Sequence, residues 1–87
     1  MENLTSVQEW FDYINNIAME DMISHAKVIG SISMQEELDS QGYDDDDIMA
    51  IYQAVAKRFL EFNIRIPEAM SQSCVDFRKV AKGILTP

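Results

Sequence analysis

Positive charge is scarce in this 87-residue chain: seven lysines and arginines stand against fifteen aspartates and glutamates, for a formal charge of −8. Nucleic acid and anionic membrane are therefore poor direct partners, because holding phosphates takes clustered cations that displace counterions. Cysteine is almost absent, and Cys74 alone cannot form an internal disulfide, so the fold must stand without covalent staples and a reducing, cytoplasmic setting is expected. With three glycines and two prolines there is room for few turns, hence for few, long elements. No apolar run approaches the roughly 20 residues that a membrane span needs. The opening stretch MENLTSVQEW has neither the basic nor the apolar region of a secretory signal, and no export leader is expected.

What is present is apolar periodicity. Thr5 and Gln8 have the spacing of a capping box, which predicts a helix from about Ser6. Val7, Trp10, Phe11, Ile14, Ile17 and Ala18 then share one face, and Met22, Ala26 and Ile29 prolong it. The pattern fits one long helix over about 6–29, continuous or bent near Met19, and ended by Gly30. Ser33 and Glu36 repeat the capping logic for a short helix over 34–41, held by Met34 and Leu38, with Gly42 free to take the positive φ that follows a helix end.

The stretch Asp44–Asp47 precedes another apolar arc, Ile48, Ile51, Tyr52, Val55, Phe59 and Phe62. Asp44 or Asp45 as N-cap, with the others in the first turn, would satisfy free amides and meet the positive end of a helix over 45–62. Ile66-Pro67 reads as a break and restart. A last helix over about 67–82 would carry Met70, Cys74, Phe77, Ala81 and Ile84 as a packing seam, closed by Gly83. Nothing alternates long enough for a sheet. The expected architecture is all-α: a compact three- to four-helix bundle in a single domain.

Candidate chemistry is sparse. A helix-loop-helix calcium loop started at Asp39 would put Asp44 where glycine is needed and Gln41 and Tyr43 where oxygen ligands are needed, so no metal is assigned. His25 has only Asp21 one turn away, and Cys74 falls on an apolar seam; neither forms an acid–base or nucleophilic set. No catalytic residue and no cofactor is assigned, and the chain is read as non-enzymatic.

Charge distribution is the remaining signal. Residues 1–47 hold twelve acids and only Lys27, a net of −11, whereas residues 48–87 hold three acids and six bases, a net of +3. Glu9, Asp12, Asn16 and Glu20 would form a polar stripe along the first helix, and Glu36, Glu37, Asp39, Asp44, Asp45, Asp46 and Asp47 a second acidic group. Tyr13, Tyr43, Met19 and Met22 could add adaptable apolar contacts. These residues, with Tyr43 among them, form the candidate partner-binding face, and the expected partner is a basic protein of nucleic-acid-binding or nuclease type, docked and inhibited by an acidic surface. Lys57, Arg58, Arg65, Arg78, Lys79 and Lys82 would neutralise the acids within the monomer, or meet those of a second copy in a homodimer; the latter would make the chain a self-associating helical adaptor.

Overall fold

The computed structural model describes residues 4–67 and 74–85. Among them are five α-helices, α1 (Val7–Asn15), α2 (Met22–Ile29), α3 (Ile32–Ser40), α4 (Asp45–Phe62) and α5 (Phe77–Leu85), with a 3-10 turn at Met19–Asp21 and no strand beyond one isolated bridge. The all-α expectation holds, packed about a single core.

The first helical stretch is broken, not bent. Ser6 is the N-cap, its hydroxyl accepting from the Glu9 amide, while the Glu9 carboxylate accepts from both the amide and the hydroxyl of Thr5. The reciprocal cap thus lies one residue beyond the Thr5–Gln8 pair. At the other end the Asn16 side chain donates back to the Asp12 carbonyl (2.7 Å), and the backbone turns extended at Ala18. Side-chain bonding of this kind competes with the helix ladder. Apolar spacing carries on through the break because Ile17 and Met22 still enter the core, which is why periodicity alone suggested continuity.

Gly30 ends α2 as expected. Ser31, rather than Ser33, caps α3, accepting from the Met34 amide (3.2 Å). Gly42 takes φ +95 in the turn to α4, a region that glycine enters without steric cost. Asp44 is the N-cap of α4, its carboxylate accepting from the Asp47 amide at 2.8 Å, with Asp45–Asp47 in the first turn. α4 ends on Asn63 in the left-handed conformation, with the Ile64 amide returning to the Phe59 carbonyl (3.0 Å); asparagine tolerates that region better than other side chains do.

The last expected helix is displaced. Pro67 is not helical, Met70 lies outside the described residues, and Cys74–Asp76 are not helical either. Cys74 instead makes an antiparallel bridge with Ser31, and the Val75 amide donates to the Gly30 carbonyl (2.9 Å). This pins the chain to the corner between α2 and α3. α5 then starts at Phe77, capped by the Asp76 carboxylate on the Arg78 amide, and runs through Gly83 to Leu85. Glycine in a helix interior is a cost of about 1 kcal/mol, not a stop.

The core is made of Trp10 and Ile14 from α1, Met22, Ala26 and Ile29 from α2, Leu38 from α3, six residues of α4, and Phe77 and Ala81 from α5. α4 is the central element, packed on α1, α2 and α5. Two long-range hydrogen bonds fix its direction. The Tyr43 hydroxyl donates to the Leu4 carbonyl (3.3 Å) ahead of α1, and Arg58 Nη2 donates to the Ile17 carbonyl (3.1 Å) just past its end. α1 and α4 therefore run parallel, with both N termini at one end of the molecule.

Candidate functional site

The parallel pair decides where the acids go. Glu9, in the first turn of α1, and Asp44–Asp47, at the start of α4, share the end at which both helices begin. The α3–α4 turn brings Asp39 and Glu37 from the last turns of α3 to the same end. Thr5 and Gln41 line one shallow cleft with Leu4 and Tyr43 there. Asp12 lies one turn further along α1. Glu20 does not join them: the break at Asn16–Ala18 puts it in the 3-10 turn beyond the opposite end of α1, so the stripe from Glu9 to Glu20 is not one helical face.

Every one of these carboxylates is exposed or half-exposed. Several are held by neutral donors: Glu9 by Thr5, Asp12 by Gln8 Nε2 (3.1 Å), Glu37 by Gln41 Nε2 (3.3 Å) and Asp44 by the Asp47 amide. Such bonds fix geometry and leave the charge in place. Among the described residues the ion pairs are Arg58–Glu61 (3.9 Å) and Arg78–Asp76 (3.7 Å), both within the second half of the sequence. Among the described residues, then, no ion pair joins the acidic half to the basic half. Arg58 has other duties: its side chain is 16% exposed, lies 4.3 Å from the Phe62 ring centroid and holds the Ile17 carbonyl.

The apolar contributors divide. Met22 is fully buried and unavailable to a partner, whereas Met19 is 54% exposed. Tyr43 is half-buried with its hydroxyl engaged by Leu4, which makes it first a tie between α4 and the chain ahead of α1. Tyr13 is half-buried, its hydroxyl bonded to His25 Nδ1 and its ring edge-on to that imidazole. The partner of His25 is therefore Tyr13 on α1, not Asp21. Burial raises the Tyr13 phenol above its ordinary value.

Cys74 lies ahead of α5 instead of on its seam. Burial pushes its thiol up, the Lys27 ammonium pulls it down and Asp76 raises it again; the net is upward, away from a reactive thiolate. Among the described residues no three His, Cys, Asp or Glu side chains are placed to hold a metal ion, and no helix is long and apolar enough to cross a membrane.

Tyr52 is buried, and its hydroxyl has no hydrogen-bond partner among the described residues. Burial first, then Asp39 and Cys74, raise its pKa above 10.0. Well below pH 10 both folded and unfolded phenols are protonated and contribute no pH dependence. As pH rises further the unfolded state gives up its proton first, so stability falls through the folded pKa. Tyr52→Phe is expected to be neutral or stabilising by up to about 1–3 kcal/mol at pH 8, since it removes an unpaired buried hydroxyl. It should also flatten the alkaline fall, measured by urea unfolding at pH 8 and 10.5. A clear loss of stability at pH 8 would mean that the hydroxyl is satisfied.

Comparison with known proteins yields no match: neither a protein-family model, nor a curated protein, nor a solved structure resembles this chain.

Proposed function

We propose that the acidic end of the molecule docks on a basic surface of another protein, of nucleic-acid-binding or nuclease type, and covers it, as an immunity protein or a phage-encoded inhibitor would. The observation that carries this reading is the gathering of Glu9, Glu37, Asp39 and Asp44–Asp47 at one end without a described lysine or arginine paired to any of them. Carboxylates on neighbouring helical turns lie about 5–6 Å apart and can take the place of backbone phosphates in a cationic groove. A concentrated field of one sign also speeds encounter with an oppositely charged surface. A non-enzymatic role agrees with a surface built from carboxylates and helix caps.

The test replaces Asp44, Asp45, Asp46 and Asp47 together by asparagine. Asparagine also caps helices, so circular dichroism should show the helices kept. Affinity for the partner recovered from the native host and then purified should fall about tenfold or more, and its dependence on salt should become shallower. Undiminished affinity in a fully helical variant would reduce the aspartates to a cap and remove the reading.

A further inference from the structure

A groove of 440 Å³ is lined by Gln8 and Phe11 of α1, Ala50, Ala54 and Lys57 of α4, and Ile84 of α5; because α1 and α4 run parallel, Gln8 lies towards one end and Lys57 towards the other. Phe11, Ala50 and Ala54 are only half-buried, and Ile84 is 36% exposed. Ala50 and Ala54, small residues one helical turn apart, leave room beside them for an apolar side chain from outside.

The groove also has electrical polarity. On α4, Asp46 and Asp47 precede Ala50 by four and three residues, so they continue the same face one turn towards the acidic end. On α1, Asp12 stands at the rim, its carboxylate accepting from the groove-lining Gln8. At the opposite end Lys57 is the one charged lining residue, and no described carboxylate pairs with it, Glu61 being taken up by Arg58. From Asp46 to Lys57 the face spans about 16 Å, three turns of helix.

We infer that this groove takes an amphipathic helix of a protein partner, about three turns long, whose apolar stripe lies on Ala50, Ala54, Phe11 and Ile84 and whose cationic end meets Asp12, Asp46 and Asp47. The inference rests on the docking reading of the acidic end and gives that partner a shape and a direction. Docking a helix by its apolar stripe into a groove is a general mode of recognition. Here the charges set its orientation, because reversal would place lysines or arginines beside Lys57.

The probe is a synthetic twelve-residue peptide with leucines at i, i+3, i+4 and i+7 and three lysines at one end, set against a shuffled peptide of equal composition without the stripe. Fluorescence anisotropy gives affinities, and amide chemical shifts of the full chain locate the contact. The striped peptide should bind about tenfold tighter than the shuffled one, with shifts at Phe11, Ala50, Ala54 and Ile84. Ile84→Ala, checked for helicity, should erase most of that preference, and Asp46→Asn with Asp47→Asn should weaken both peptides alike.

Equal affinities with shifts confined to Asp44–Asp47 would overturn the groove while leaving the acidic docking intact. Striped binding indifferent to the aspartate replacements would overturn the proposed polarity, and with it the charge-driven docking. Failure of both peptides to bind would overturn the inference, as would groove shifts that track protein concentration without peptide, since the occupant would then be a second copy.

Discussion

Phe77→Ala should destabilise the protein by about 3–5 kcal/mol, read as a fall in the urea midpoint followed by circular dichroism. The ring is 1% exposed, stands edge-on to Tyr52 at 6.0 Å between centroids and lies 6.4 Å from Phe59. It is the anchor by which α5 joins the core, with only Ala81 as a second buried side chain among those described. Small domains have about 0.05–0.15 kcal/mol of stability per residue, so the loss would take a large share of the total. Phe59→Ala, at 0% exposure, should cost a similar amount. A change below about 1 kcal/mol for Phe77→Ala would show that α5 is not held through this ring.

Gly30→Ala should cost about 1–3 kcal/mol by overpacking. A methyl there would stand 2.7 Å from Phe77 Cε2, 2.9 Å from Cζ and 3.1 Å from the Ala26 carbonyl oxygen. The obstacle is a buried ring that already packs on Tyr52 and Phe59, so making room for the methyl would disturb those contacts. Gly83→Ala is the contrast: nothing lies within 4 Å of the new Cβ in the interior of α5. That change should stabilise by about 0.5–1 kcal/mol. Combining Gly30→Ala with Phe77→Ala should cost less than the sum, because the methyl then occupies space the ring has vacated. Thermal unfolding of the four variants decides the matter, and a Gly30→Ala protein as stable as the parent would disprove the contact.

What could be read from the sequence follows from how local each signal is. Asp44 as N-cap, Gly42 with positive φ, and the apolar arc from Ile48 to Phe59 are set by neighbours within a turn or two, and all appear as expected. The break after Asn15 was hidden because Ile17 and Met22 keep the apolar spacing while the backbone leaves the helix. The start of α5 was hidden because Cys74 and Val75 are held by Ser31 and Gly30, more than forty residues away in the chain. In the sequence Arg58 is one of six bases set against the acids; its bond to the Ile17 carbonyl, forty-one residues away, makes it a tie between α4 and the end of α1. The acids of the candidate site were individually legible. Their assembly at one end, without Glu20, depends on the parallel course of α1 and α4, which no local spacing encodes.

That parallel course also shapes how the chain can reach its native state. Neighbouring antiparallel helices find each other across short hairpins, but α1 and α4 meet only after residues 16–44 have carried the chain back to the starting end. Closing so long a segment costs entropy before any of the α1–α4 contacts form. Its folding rate should therefore fall below that of an up-and-down bundle of equal length, with the α2–α3 return path assembling before the first helix finds its seat.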